Sequence, residues 1–235
     1  MSKNILDIIN TFPKERPKLS IAHKANFEDE YKANREGKAG LATQVAHWLE
    51  KWMHKKTSQN NVEADLLEVG AGTLNHVFYE THTRHYDIVE PFESLFVDKK
   101  DEAKKIRAFY KAISEIPKEQ KYDRIVSIAT LEHMINLPME LRLINSLLVP
   151  NGRLQIGIPT EGGFLWGLAW RITTGLSYRI RTGLSYSVIM RHEHINTEDE
   201  IIALIKYYFK GVKVRRFPLN YKHLSFYTYI SAVRK

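Results

Sequence analysis

Leu66-Leu67-Glu68-Val69-Gly70-Ala71-Gly72-Thr73 decides the reading of this chain. An apolar run enters a tight glycine turn, with a carboxylate two residues before the first glycine. Glycine tolerates positive φ and has no side chain, so such a turn lets backbone approach a nucleotide-like ligand closely. Twenty residues past Gly70, His85-Tyr86-Asp87-Ile88-Val89-Glu90 reads as a second strand ending in an acid. A carboxylate there can accept hydrogen bonds from both hydroxyls of a ribose. Together the two segments imply a site for an adenosine-containing cofactor.

Outward from this core, strand and helix patterns alternate. Lys105 to Tyr110 reads as a third strand after a weak helix over Phe92 to Lys99, and Tyr122 to Ala129 as a buried fourth. Pro138 to Leu148 has helical spacing and closes on Val149-Pro150-Asn151-Gly152, a turn in which proline fixes φ and Asn-Gly reverses the chain. Arg153 to Ile158 is a fifth strand. Thr197 and Glu200 have the spacing of a capping box for a helix to Lys210 that Gly211 stops. Val212 to Leu219 and Ser225 to Val233 are two last strands. Their connection is too short for a crossover, so the final strand runs antiparallel to its partner. The expected fold is α/β: a Rossmann-like, doubly wound, mostly parallel seven-stranded sheet with an antiparallel C-terminal strand.

At 235 residues this is a single domain over 1–235. Residues 1–38 form a polar N-terminal arm with Pro13 and Pro17, and Leu41, Val45, Trp48, Leu49 and Trp52 mark an amphipathic helix from about Ala39 to His54. One segment, 160–195, breaks the alternation: it is rich in aromatics and arginines, and Thr174-Gly175-Leu176-Ser177-Tyr178 returns as Thr182-Gly183-Leu184-Ser185-Tyr186. We read it as a cap inserted after strand five, over the crevice at the carboxyl ends of the strands.

The chain has no cysteine, which removes disulfides and thiolate metal sites and suits a reducing compartment. With no secretory signal and no apolar run near the ~18 residues of a spanning helix, a cytoplasmic protein is expected, with contact at the inner membrane face as an option for Phe164 to Trp170. The formal charge is +8, and no acid follows Glu200. That balance suits phosphate-rich partners or a merely solubilising surface. Nucleic acid is disfavoured, because no stretch interleaves arginine and aromatics as single-strand binders do.

Three cofactors compete for the glycine turn. A phosphate-cradling loop needs a Gly-Lys-Ser/Thr ending, which does not follow Gly72. A dinucleotide site wants a third glycine where Asn75 stands. The third candidate is S-adenosyl-L-methionine, for which the pattern is acid-x-Gly-x-Gly, with Glu68 as the acid. Glu68-Val69-Gly70-Ala71-Gly72-Thr73, Asp87-Ile88-Val89-Glu90-Pro91, Tyr122-Asp123-Arg124-Ile125-Val126-Ser127 and Leu131-Glu132-His133 resemble, in order and spacing, the motifs of class I S-adenosylmethionine-dependent methyltransferases, nearest the type 11 group. The resemblance covers about Asp65 to Ile158. It implies that Glu68 and the Gly70, Ala71 and Gly72 backbone hold the methionine moiety, Glu90 takes the ribose hydroxyls and Pro91 flanks the adenine. It also implies that Ile113 backbone meets the adenine edge and Ala129 contacts the methionine amino group. Two positions depart from the pattern: Leu74 stands where the family has a third glycine, and Ala112 where it commonly has an acid.

An oxygen acceptor needs its proton removed by a group within hydrogen-bond reach. The candidates are His133 and, in the Arg191 to Asn196 segment, Glu193 and His194; the reading preferred for Glu193, His194 and Asn196 is a polar network that orients substrate or cap. His192 and His194 alternate in a way that permits a metal, but no third ligand is apparent and none is expected. The cap strings Ile158-Pro159-Thr160-Glu161-Gly162, Leu165-Trp166-Gly167 and Met190 to Asn196 are similar to methyltransferases of bacterial surface-polysaccharide pathways. That resemblance implies O-methylation of a small-molecule or glycan acceptor, such as a glycan, nucleotide sugar or lipid-linked saccharide, and a phosphate on it suits the segment, since aromatic faces cover sugars and arginine binds phosphate. The alternatives are a quinone-like apolar acceptor, or a non-catalytic fold binding nucleic acid through the basic tail. The oligomeric state is not legible.

Overall fold

The computed structural model describes residues 4–26, 51–58 and 63–235. Among these, seven strands form one sheet in the order β3-β2-β1-β4-β5-β7-β6. They are β1 (Ala64–Val69), β2 (Thr83–Val89), β3 (Ala108–Tyr110), β4 (Tyr122–Ile128), β5 (Leu148–Pro159), β6 (Phe209–Pro218) and β7 (Ser225–Arg234). β1 to β5 pair in parallel, while β7 lies antiparallel between β5 and β6. The continuous apolar runs produce this arrangement, because a parallel strand covered on both faces has no polar side to present. The expected sheet, including its reversed last strand, is the one observed.

Strand alternation divides the core in two. Leu67, Val69, Ile125 and Ile156 face one side, where α5 (Leu137–Leu147) and α9 (Glu198–Tyr208) cover them. Leu66, Tyr86, Ile88 and Val126 face the other, against Leu74 and Val77. α9 begins with the expected capping box: Thr197 accepts from the Glu200 amide and the Glu200 side chain accepts from the Thr197 amide. Of the N-terminal arm, the described residues 4–26 include helix where a polar loop was expected. α1 (Ile5–Ile9) buries Ile8 against the α9 side of the core, and residues 21–26 form a further helical turn, α2.

Several boundaries differ from expectation. Residues 92–99 hold only a 3-10 turn at Glu93–Leu95, and the helix there, α4, is Lys100–Ala103, because this stretch lacks a buried apolar face. β3 is correspondingly short. The Val149–Gly152 turn is absorbed into β5, with Asn151 at φ 63°. α9 stops at Tyr208, since Phe209 is already extended and buried in β6. Gly211, at φ 60°, serves instead in the bulge between Lys210 and Lys213. The expected helix over 39–54 lies outside the described residues up to 50, and 51–57 are helical, as α3.

The cap after β5 is helical. α6 (Phe164–Trp170) runs through a π turn (Arg171–Gly175) into α7 (Leu176–Thr182), and α8 (Tyr186–Glu193) follows. The repeated pentapeptide takes two different structures: Gly175 sits inside the helix at φ −63°, whereas Gly183, at φ 73°, ends α7 in the left-handed region.

Candidate active site

The carboxyl ends of β1, β2 and β4 open onto a cavity of about 660 Å³, a volume suited to a cofactor-sized ligand. Gly70 begins its floor at φ 78°, its amide donating to the Val89 carbonyl at 2.8 Å. A Cβ on Gly70 would fall 2.2 Å from Thr130 Oγ1, so the position accepts no side chain. Gly72, at φ 51°, is different: a Cβ there would meet nothing within 4 Å, because the residue faces open cavity.

Glu90 is held by the same turn. Its carboxylate accepts the Gly72 amide at 2.8 Å and the Phe92 amide at 3.1 Å. Two backbone donors fix the carboxylate at the cavity wall. Pro91, Ala112, Ile113, Ala129 and Thr130 line the cavity beside it. Ala129 sits at φ 50°, a conformation that L-residues adopt at a cost, at the turn leaving β4.

Three expected residues stand elsewhere. Glu68 is not on the cavity wall. Period-two alternation turns it to the Leu66 face, where the Tyr86 hydroxyl donates to it at 2.7 Å. Burial raises its pKa to about 7, against the opposing pull of His76 and the Tyr86 hydrogen bond. Ala71 is buried among the same apolar cluster as Leu74. Leu74, where the resemblance expects a glycine, stands in the left-handed region at φ 61° while filling the core with a fully buried side chain. His194 is the third, set behind His133 rather than on the wall.

The far wall is built from His133 and Glu193. His133 closes the 3-10 turn after β4 (Leu131–His133), and its Nδ1 lies 2.9 Å from the Glu193 carbonyl. A carbonyl only accepts, so Nδ1 carries the proton. The His194 ring meets His133 edge-on, with centroids 4.9 Å apart. His194 Nδ1 is 2.9 Å from Glu161 Oε2, which also accepts the Trp166 indole N–H at 2.6 Å. Burial opposes charge on Glu161, but these hydrogen bonds hold its carboxyl below the ordinary value. Asn196 is wholly buried and donates to the carbonyls of Leu131 and Met134, tying the segment after α8 to the β4 turn. His192 sits at the edge of this cluster, its Nδ1 meeting the Pro17 carbonyl at 2.7 Å and its Nε2 lying 3.7 Å from Glu193 Oε1.

Sequence reasoning missed three residues here. Arg16, read as part of a polar arm, donates to the carbonyls of His192 and His133 at 2.7 and 2.9 Å and lines the cavity. Glu161 orients His194. Glu132 is buried beside His133, with Oε1 3.8 Å from His133 Nε2 and Oε2 without a hydrogen-bond partner among the described residues. Its place in the Leu131-Glu132-His133 motif was the available signal. The basic tail is partly consumed internally, since Arg216 pairs with the buried Glu198 at 2.7 Å and Lys222 with Asp199.

A glycine turn, a fixed acid after β2 and an antiparallel last strand define an α/β fold that binds a nucleoside-bearing methyl donor. The family described as a methyltransferase domain matches residues 38–204. The chain belongs to that family, and it is an S-adenosylmethionine-dependent methyltransferase. Solved structures agree at the level of fold. An S-adenosylmethionine-dependent methyltransferase of Thermotoga maritima is similar at 16% identity and TM-score 0.61, over 89% of this chain and 97% of that one. A 1,6-didemethyltoxoflavin-N1-methyltransferase of Burkholderia thailandensis, solved with S-adenosylhomocysteine, has 17% identity and TM-score 0.60 over 94% and 93%. An O-methyltransferase family protein of the same organism has 13% identity and TM-score 0.52 over 80% and 56%. No curated protein matches the sequence.

Proposed function

We propose that this enzyme methylates a hydroxyl of a small polar acceptor, a saccharide or saccharide conjugate, between the donor cavity and the helical cap. The observation that carries this reading is a single cavity with Glu90 on one wall and the His133–Glu193 pair on another. The donor supplies an activated methyl group on a sulfonium, so the protein's work is alignment, exclusion of water and removal of one proton. Glu90, fixed by the amides of Gly72 and Phe92, receives the ribose hydroxyls. Gly70 and Gly72 let the chain lie close to the methionine end, Pro91 and Ile113 flank the adenine, and Ala129 offers backbone to the amino group.

The acceptor oxygen forms its bond to the methyl carbon as the carbon–sulfur bond breaks, and that electron pair stays on sulfur. The hydroxyl proton is taken up in the His133, Glu193 and His194 cluster. Arg16 and Lys14, which donates to the Ile195 carbonyl at 2.8 Å, hold that cluster against the β4 turn. The cap supports an anionic or phosphate-bearing acceptor: residues 162–192 include Arg171, Arg179, Arg181 and Arg191 and no Asp or Glu. A role in bacterial surface-polysaccharide synthesis fits this chemistry.

A second reading places the acceptor in a membrane, as a quinone-like or lipid-linked molecule. Phe164, Leu168, Ile172, Leu176 and Ile180 recur every four residues along α6 and α7 and are 40 to 76% exposed. In an α-helix, positions four apart drift about 40° per step. The intervening π turn, with its i→i+5 bonds, sets the drift back and favours one stripe. An apolar stripe among arginines suits an anionic lipid surface.

The test is calorimetric titration with S-adenosylmethionine, then S-adenosylhomocysteine release on a panel of saccharide, phosphosaccharide and quinone-like acceptors. Glu90→Ala is expected to weaken donor binding by roughly 10- to 100-fold, the worth of one or two charged hydrogen bonds. Turnover confined to apolar acceptors would replace the saccharide reading with the second.

A further inference from the structure

We propose that Glu132, His133 and His194 form a site for a divalent transition-metal cation in the wall of the donor cavity. One ligand atom from each lies within 4.8 Å of the others. Both imidazoles have the required tautomer: each Nδ1 is engaged by an acceptor, the Glu193 carbonyl for His133 and the Glu161 carboxylate for His194. Each Nε2 lone pair is therefore available to a cation. This is how protein environments prepare metal-binding histidines, with the second nitrogen donating to a carbonyl or carboxylate.

The carboxylate is an independent observation. Glu132 is 1% exposed, and its Oε2 has no hydrogen-bond partner among the described residues. A buried carboxylate oxygen without a donor is costly, and a coordinated cation removes that cost. The sequence did not disclose the set, because His192 is the histidine adjacent in pattern, whereas the fold supplies Glu132 and His133 from the β4 turn sixty residues earlier. Bonds of about 2.0–2.2 Å draw the three atoms somewhat closer together, within reach of small side-chain torsions.

Two imidazoles and one carboxylate select zinc, manganese, cobalt or ferrous iron over magnesium or calcium, which prefer all-oxygen sets. Three protein ligands also leave coordination positions open. His133 lines the cavity, so an open position faces the space where the acceptor is proposed to lie. A hydroxyl bound there loses its proton more readily, and Glu193 stands beside it to receive that proton. This last role rests on the methyl-transfer reading above, but the cation site does not.

Untagged full chain is treated with chelator, dialysed, and titrated with Co²⁺ while visible absorption is followed, with Zn²⁺ as competitor. The expected result is one saturable site per chain, displaced by Zn²⁺. Glu132→Gln and His194→Ala should each abolish the saturable absorption, and Glu161→Gln should weaken it by about 10- to 100-fold through the freed imidazole. His85→Ala, on an exposed histidine of β2, should leave it unchanged. S-adenosylmethionine titration of each variant shows whether it is folded. Donor binding without a stoichiometric Co²⁺ site, or a site indifferent to Glu132→Gln and His194→Ala, overturns the proposal and leaves the methyltransferase reading intact. A Co²⁺ site without donor binding would do the reverse.

Discussion

Glu68→Gln separates two roles for the acid of the glycine motif. In the folded chain burial raises the Glu68 pKa to about 7, from an ordinary 4.5. Between those values the unfolded chain has released its proton while the folded chain keeps it. Folded protein then binds more protons than unfolded, so stability falls as pH rises through this window. The difference corresponds to about 3 kcal/mol, absent below pH ~4 and complete near pH 8. Glutamine keeps an acceptor for the Tyr86 hydroxyl and has nothing to ionise. Urea unfolding of both proteins from pH 4 to 8 should show the variant gaining about 3 kcal/mol on the wild type across the range. Glu132, also raised to about 7 by burial, is present in both proteins and cancels. A stability difference that does not change with pH would refute the argument. Donor affinity is a second readout: Glu68 is off the cavity wall, so Glu68→Gln should leave it nearly unchanged, and a large loss would restore a direct role in holding the methionine moiety.

Leu74→Gly and Leu74→Ala both empty a fully buried site, at about 2–5 kcal/mol, but glycine also releases about 1–2 kcal/mol of left-handed strain. Chemical denaturation should therefore find the glycine variant no less stable than the alanine one, contrary to the usual order; a glycine variant lower by about 1 kcal/mol would contradict the left-handed geometry. Arg16→Ala removes charged hydrogen bonds to the carbonyls of His133 and His192, worth roughly 1.5–3 kcal/mol each. It should weaken donor binding by at least about 10-fold and speed proteolysis of the arm, and unchanged values of both would detach the arm from the site. Ile172→Ser with Ile180→Ser should cut partitioning onto phosphatidylglycerol vesicles by about 100-fold if the exposed stripe meets lipid, and equal partitioning of wild type and variant would remove that reading.

The sheet was legible because its strands are uninterrupted apolar runs bounded by turn residues, and the reversed last strand followed from the short link between two of them. Legibility failed where local signals conflicted with packing. Phe92 to Lys99 has helix-forming residues but no face to bury, so only a 3-10 turn formed. Gly211 has the character of a helix stop, yet Phe209 entered the sheet first because its side chain is wholly buried there. At the site, Glu90 and His133 were picked out by their place after a strand end and Pro91 and Ile113 through the family resemblance, and all four line the cavity. Arg16 and Glu161 were not picked out, because what matters about them is a partner far along the chain. Glu68 was placed at the donor through the resemblance, whereas alternation with Leu66 and Leu67 turns its side chain to the Tyr86 side of the sheet.

β7 is the last of the described strands in sequence and yet an interior one in the sheet, bonded to β5 on one side and β6 on the other. During synthesis β1 to β4 emerge with their partners and can assemble the donor end early. β5 must wait with one edge bare, and β6 with no neighbour at all, until residues 225–234 leave the ribosome. The same wait applies to Glu198, whose buried carboxylate accepts from Thr228 on β7 as well as from Arg216. Nascent chains stalled before Ser225 should thus combine a nearly finished β1 to β4 half with an open sheet edge at β5, the form of this protein most exposed to pairing with a neighbour.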